Sequence, residues 1–273
     1  MLLSEKEYFP EGKVFHGSVP LVMGTKLELL VCGEDEPLCN GLWENMCSEA
    51  QRLDAVMNRF SPESEVSRLN VAGGGLLTEE MAGIIALCEH FRKNTCGLFD
   101  IGRGTVDWSS AFLKEKGPSD GTPVISLEGG NLDFGGFGKG FLLKKYKEML
   151  KEAGVSSAYA DFGGSSILAV GHHPFGPCWK AGVTDPFTGT RLRELELIDM
   201  AMSTSGNQPG YDGHITDPRD GSRICGRKMF TIISTDPLTA ETVSTAAMIA
   251  NAEELDYIRK NNDIAEILDL SAT

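Results

Sequence analysis

The chain has 273 residues, of which 41% are hydrophobic and 23% are charged, and its formal net charge is −14 at neutral pH. This composition is typical of a globular protein, and the length suits a single domain that spans residues 1–273. The negative charge excludes nucleic acid as an expected partner, because a polyanion would be repelled.

The N-terminal segment, MLLSEKEYFPEGKVF, has neither the basic start nor the long apolar stretch of a signal peptide. No apolar run reaches the roughly 18 residues of a transmembrane segment. The seven cysteines include no C-x-x-C pair, which argues against a structural zinc site or a disulfide framework. We therefore expect a cytoplasmic protein, with an exported protein trimmed of its signal as the alternative.

In the first half of the chain, the alternation of Leu27, Leu29 and Val31 predicts a strand within residues 23–32. Apolar residues at positions 42, 46, 50, 53 and 57 predict an amphipathic helix. Thr78, followed by two glutamates, predicts the start of a second helix. The glycines at 73–75 are interpreted as the loop between these two helices.

In the second half, residues 132–140 form a short apolar stretch that ends in glycines, and a helical face follows from Leu142 to Gly154. A last helix is predicted from Thr239 to about Ala250. Strands are predicted at residues 157–162, 166–170, 179–184, 192–197 and 230–234. Strands and helices do not alternate strictly, so the predicted class is α+β, with mixed sheets and flanking helices.

The segment HITDPRDG at 214–221 follows MSTSGNQ at 202–208. A turn of small polar residues at 203–207 presents N–H groups and hydroxyls that suit phosphate oxygens. His214 is a candidate general base, because an imidazole titrates near neutral pH. The alternative is a surface turn with a solvated histidine.

The segment TAETVSTAAMIA at 239–250 brings Glu241, Ser244 and Thr245 to one face if it is helical. A carboxylate with hydroxyls is a hard, all-oxygen ligand set that suits Mg²⁺. The alternative is a helix capped by Thr239, with Glu241 in solvent.

The segment GGFGKGF at 135–141 resembles a phosphate-binding loop but fails the Walker pattern at Asp133 and Gly140. Its glycines permit a close approach of the backbone to a ligand, and Lys139 is a candidate phosphate contact. A glycine-rich turn without a ligand is the alternative.

Three aromatic residues, Phe60, Phe99 and Trp108, are candidate walls for a flat ring. The alternative is that they belong to the core.

Taken together and in order, these segments resemble the ApbE-type FAD:protein FMN transferases from about Met23 to Ala250. The most specific matches are HI-x-DP-x-x-G, the TSG before it and the Gly-Lys-Gly loop. The matching segments are MGT at 23–25, SEVSRLN at 64–70, FDIGRG at 99–104, LDFGGFGKG at 132–140, FGGSSILAVG at 162–171, STSG at 203–206, HITDPRDG at 214–221 and AETVSTA at 240–246.

The resemblance implies an α+β fold in which FAD, as substrate, lies in a cleft and Mg²⁺ is bound as cofactor. The implied metal ligands are Gly138, through its carbonyl, Glu241, Ser244 and Thr245. The implied FAD contacts are Met23, Phe60, Leu98, Phe99, Asp100, Gly135, Phe141 and Thr216. His214, Lys139 and Glu241 are the implied catalytic residues.

The chain also departs from the family pattern. Glu241 replaces the usual Asp, Lys144 and Ser165 stand where Asp is common, and Gly102 replaces Thr in FD-x-T. The segment between TSG and His214 is short. The lipoprotein signal of exported members is absent from this sequence.

The implied reaction moves FMN from FAD to a Thr or Ser hydroxyl of an acceptor flavoprotein, with release of AMP. In this hypothesis, a metal stabilises the leaving AMP, and His214 or a nearby carboxylate takes the hydroxyl proton. Two alternatives remain: an FAD pyrophosphatase that yields FMN and AMP, and a non-catalytic FAD-binding protein.

Overall fold

A computed structural model describes residues 3–103 and 123–271. Eight strands form one sheet in the order β1-β2-β3-β8-β9-β12-β13-β14, and every neighbouring pair in it is antiparallel. Its strands are β1 Glu5–Phe9, β2 Val14–Val22, β3 Thr25–Cys32, β8 Ala158–Phe162, β9 Ser166–Val170, β12 Ala201–Gly206, β13 Met229–Ser234 and β14 Glu266–Asp269. Three two-stranded sheets pair β4 Gly74–Leu76 with β6 Val124–Ser126, β5 Gly102–Arg103 with β7 Asn131–Leu132, and β10 Trp179–Thr184 with β11 Arg191–Leu197.

The described helices are α1 Glu36–Met57, α2 Glu65–Ala72, α3 Glu79–Asn94, α4 Gly138–Glu152, α5 Pro237–Ala247 and α6 Ala252–Asn261. Local sequence explains several of their starts. The side chains of Ser64 and Thr78 each accept a backbone N–H in the first turn of α2 and α3. Asp236 caps α5 in the same way, and Pro237 stands at its start, where no N–H is needed.

The large sheet is covered on both faces. The main core contains the apolar sides of the helices and one face of the sheet, around Trp43, Leu53 and Tyr146. A second core lies between the sheet and the β10–β11 hairpin, around Trp179 and Leu197. Burial from both sides explains why every residue of β13 is buried.

The α+β class is confirmed, and so are the predicted strands and helices. Strands β9 and β10 have the predicted bounds, and α3 begins after Thr78 as expected. Within the described residues, no helix is long and apolar enough to cross a membrane.

Several expectations about local structure were wrong. The small polar residues at 203–207, interpreted as a turn, mostly belong to strand β12. A separate helix, α2, lies between the two helices predicted in the first half, and Gly74 begins a short strand. The late helix begins at Pro237 rather than Thr239 and ends at Ala247. Strands β1, β2 and β14 and helix α6 had no counterpart in the prediction.

Candidate active site

A cleft of about 1540 Å³ opens beside the large sheet. Its walls come from the β2–β3 turn, the segment that ends in Asp100, the start of α4, the end of β12, the loop after it and one face of α5. Since a drug-sized ligand needs at most about 1,000 Å³, this cleft has room for a larger ligand.

The β2–β3 turn brings a side chain to the start of α4. Met23 and Gly24 both have positive φ, 47° and 83°, as a two-residue type I′ hairpin requires. A Cβ added at Gly138 would lie 3.3 Å from the Met23 sulfur. Gly138 therefore provides the room in which Met23 packs against the helix.

Two further glycines let α5 approach the start of α4. A Cβ at Gly136 would lie 2.8 Å from the Thr245 hydroxyl, and one at Gly140 would lie 2.5 Å from the Glu241 Cβ. Glu241 and Thr245 are one helical turn apart on α5. Gly136 and Gly140 thus make room for atoms of α5, and they allow Glu241 and Thr245 to reach the cleft.

Lys139 and Glu241 form the charged centre of this wall. The Lys139 ammonium donates to Glu241 Oε1 at 2.5 Å and to the Ser166 hydroxyl at 2.7 Å. Glu241 Oε2 accepts from Ser166 at 2.6 Å and from Ser203 at 2.8 Å. Only 3% of Glu241 is exposed, so the alternative of a solvated Glu241 is wrong.

The four residues implied as metal ligands are not equivalent. Glu241 and Thr245 line the cleft, whereas Gly138 and Ser244 are buried and are not among its lining residues. The Ser244 hydroxyl lies 3.1 Å from that of Ser203 and 2.8 Å from that of Ser205. In the described part of the chain, no cluster of three or more His, Cys, Asp or Glu residues could hold a metal.

His214 also lines the cleft, and its ring is stacked on Tyr211 with centroids 4.3 Å apart. Its Nδ1 lies 3.1 Å from the Tyr211 carbonyl oxygen, which can only accept, so Nδ1 carries the proton. Burial lowers the pKa of His214, and this outweighs the Tyr211 carbonyl and the Asp212 carboxylate, which raise it. The neutral ring therefore presents an unprotonated Nε2, as a general base needs.

The loop that carries His214 is held by two anchors that the sequence did not reveal. Asn207, 1% exposed, donates to the carbonyls of Ile224 and Gly226 and accepts from the Gly213 N–H. Asp217 accepts from the Arg219 guanidinium, which lowers the pKa of that carboxyl. The Asp of the DP pair thus stabilises the turn and is not a lining residue, whereas Thr216 lines the cleft.

The residues implied as FAD contacts mostly reach the cleft. Its lining includes Met23, Phe60, Leu98, Phe99, Asp100, Gly135 and Thr216. Phe141 does not line it: its ring is stacked on Phe137 in the core, with centroids 5.2 Å apart.

The aromatic candidates have three different outcomes. Phe60 is 78% exposed, with the Arg59 guanidinium 4.0 Å from its ring centroid, and Arg59 also pairs with Asp133 at 3.1 Å. Phe99 is buried in the core and also contributes to the lining. Trp108 lies outside the described residues.

Asp100 is the most perturbed carboxyl of the cleft. Burial raises its pKa to about 6, although the Gly102 N–H donates to it at 2.7 Å. A carboxyl with this pKa is half protonated in mildly acidic solution.

Comparison with known proteins identifies the family of this chain. The model of the ApbE family matches residues 23–268. A curated FAD:protein FMN transferase from Klebsiella pneumoniae (strain 342) is 28% identical in an alignment of 162 residues, and the match covers 51% of this chain and 49% of the relative. The chain thus aligns with about half the length of that relative.

Solved structures share the fold at low sequence identity. The flavin transferase ApbE from Vibrio cholerae superimposes with a TM-score of 0.78 at 18% identity, covering 96% of this chain and 94% of that one. The apo flavinyl transferase ApbE from Pseudomonas stutzeri gives 0.75 at 21% identity, covering 99% and 92%. From the extent of the family match, the chain belongs to the ApbE family.

Proposed function

We propose that this chain transfers the FMN part of FAD to a Thr or Ser hydroxyl of an acceptor flavoprotein and releases AMP. One observation carries the proposal: an ammonium, a carboxylate, a hydroxyl and a neutral imidazole all line the same cleft. Positioning and electrostatics account for most catalysis of phosphoryl transfer, and these groups supply both.

The cleft has separate chemistry for the two ends of this substrate. The exposed ring of Phe60 and the apolar Leu98 and Phe99 suit a flat aromatic ring. Lys139, at the start of α4, suits a diphosphate, because both the ammonium and the N-terminal end of a helix attract anions.

The donor chemistry fits Mg²⁺. Magnesium at nucleotide sites commonly takes one or two carboxylates together with substrate phosphates and water. Glu241 and Thr245 would hold it, since they are the two oxygen donors of α5 that reach the cleft. A bound Mg²⁺ would supply charge neutralisation at the diphosphate. Gly138 and Ser244, which do not line the cleft, have no part in this site as we propose it.

The proton step is assigned to His214. Its neutral Nε2 accepts the proton of the acceptor hydroxyl while the hydroxyl oxygen bonds to the flavin-side phosphorus. The bond from that phosphorus to the AMP oxygen breaks, and AMP leaves with the electron pair. Lys139 donates to the phosphate oxygens and offsets their charge.

The test is to incubate the purified chain with FAD, Mg²⁺ and a flavoprotein that carries a Thr or Ser flavinylation site. We expect flavin fluorescence that stays with the acceptor after denaturation, and a mass increase equal to FMN less water. The matched control is the same acceptor with its target residue replaced by alanine. Free FMN and AMP without labelled acceptor would instead identify a pyrophosphatase, and bound but intact FAD would identify a binding protein.

A further inference from the structure

The pairing of Lys139 with Glu241 conflicts with the tasks that the proposed function gives them. Glu241 is to hold a divalent cation, and Lys139 is to contact a diphosphate. In the structure, the two side chains already pair with each other at 2.5 Å. The second oxygen of Glu241 accepts from two serine hydroxyls. A cation that approaches this carboxylate must therefore displace or share an existing partner.

The two partners differ in how readily each can leave the pair. The Glu241 side chain is 4% exposed, and a buried carboxylate without a compensating cation carries a large desolvation penalty. The Lys139 side chain is 21% exposed and long, so it can turn toward the cleft. Of the two partners, the lysine is thus the one able to leave.

Charge balance indicates the condition under which Lys139 leaves Glu241. A divalent cation added to the neutral pair would put three positive charges against one negative charge in a partly buried site. A dinucleotide diphosphate brings about two negative charges, which restores neutrality when Lys139 turns to it and Glu241 turns to the metal.

We propose that Lys139 is an internal counter-cation of Glu241. It blocks the binding of a divalent metal to this carboxylate until a diphosphate binds Lys139 in its place. This inference rests on the proposed function. Its consequence is a binding order, in which the dinucleotide binds before the metal or together with it.

The experiment uses Mn²⁺ as a probe for Mg²⁺, with free Mn²⁺ measured by electron paramagnetic resonance. Wild-type protein is titrated without nucleotide and with saturating FAD, and FAD without protein corrects for Mn²⁺ bound by the nucleotide. We expect FAD to tighten Mn²⁺ binding by on the order of tenfold or more, because the charged hydrogen bond from Lys139 no longer competes for Glu241. Equal affinity with and without FAD would overturn the proposal.

Lysine variants provide the second arm. Lys139→Met should tighten Mn²⁺ binding without FAD by on the order of tenfold, whereas Lys139→Arg should bind Mn²⁺ as weakly as wild type. Lys144→Met is the matched control, because Lys144 is on the same helix and pairs with Asp236 at 3.0 Å, away from the cleft lining. Unchanged or weaker Mn²⁺ binding by folded Lys139→Met would contradict the proposal.

The results distinguish failure of the metal assignment from failure of the proposed role of Lys139 in binding order. If Mn²⁺ binds in no condition, the metal assignment fails and the counter-cation role fails with it. If the chain labels its acceptor and binds Mn²⁺ equally with or without FAD, the proposed function stands and only the role of Lys139 in binding order is refuted.

Discussion

Gly140, at the start of α4, should tolerate a side chain poorly. A Cβ at this position would lie 2.5 Å from the Glu241 Cβ, 2.8 Å from the Pro237 carbonyl oxygen and 3.1 Å from the Leu238 Cα. Two of these atoms belong to the α5 backbone, so no rotation of a side chain can relieve the contact. Gly140→Ala must therefore push α4 and α5 apart at Glu241.

The expected cost combines two opposing effects. Alanine is favoured over glycine inside a helix by about 1 kcal/mol, whereas overpacking a core typically costs about 1–3 kcal/mol and occasionally more. Because backbone atoms on a second helix must move, we expect the upper part of that range. The free energy of unfolding should fall by about 2 kcal/mol.

The matched control is Gly83→Ala, at an exposed position of α3 with no atom within 4 Å of the added Cβ. It should raise the free energy of unfolding by about 0.5–1 kcal/mol. Urea denaturation followed by circular dichroism measures both variants. A gain in stability for Gly140→Ala similar to that of Gly83→Ala would refute the close packing of α4 on α5.

Three further predictions concern the chemistry of the cleft. Glu241→Gln keeps the shape of the side chain but removes its charge. It should reduce Mg²⁺-dependent AMP release, measured by chromatography, by on the order of 100-fold, because several kcal/mol of metal assistance are lost. Unchanged release would show that Glu241 does not hold the metal. Because neutral His214 is the base and burial lowers its pKa, the pKa of the acid limb of the kcat/KM profile should lie below the ordinary value of 6.5. His214→Ala should lose this limb and slow transfer by about 10²–10⁴-fold without weakening FAD binding. Persistence of the limb in this variant would assign it to another group. Because the pKa of Asp100 is raised from 3.8 to about 6, ionisation of this carboxyl lowers the free energy of unfolding progressively as pH rises from 3.8 to 6. In urea denaturation, Asp100→Asn should therefore exceed the wild-type free energy of unfolding by up to about 3 kcal/mol at pH 8 and by little at pH 3. A gain independent of pH would contradict burial as the cause.

The elements with a clear hydrophobic period were predictable from sequence. Strands β9 and β10 and the start of α3 follow directly from alternation and from the capping residue Thr78. Strand β12 was not predictable in this way, because its small polar residues favour turns when read locally. They form a strand because their backbone pairs with β13 and β9, and their side chains bond to residues on α5 and to Thr231 on β13.

In the candidate site, too, some features were predictable from sequence and others were not. Most of the site residues that the family resemblance implied do line the cleft, including His214, Lys139 and Glu241. The roles of the glycines depend on tertiary contacts, so the sequence could not reveal that Gly140 makes room for Glu241. The anchoring of the His214 loop by Asn207 was equally hidden, because a single asparagine after a TSG motif has many local uses.

We propose that this chain breaks the diphosphate of FAD and keeps the flavin half on a protein. The most direct measurement is the ratio of AMP released to flavin covalently bound to the acceptor, determined in one reaction with FAD and Mg²⁺. We expect equal amounts of the two products, and we expect both to be lost when EDTA is present. AMP in large excess over bound flavin, or neither product after prolonged incubation, would contradict it.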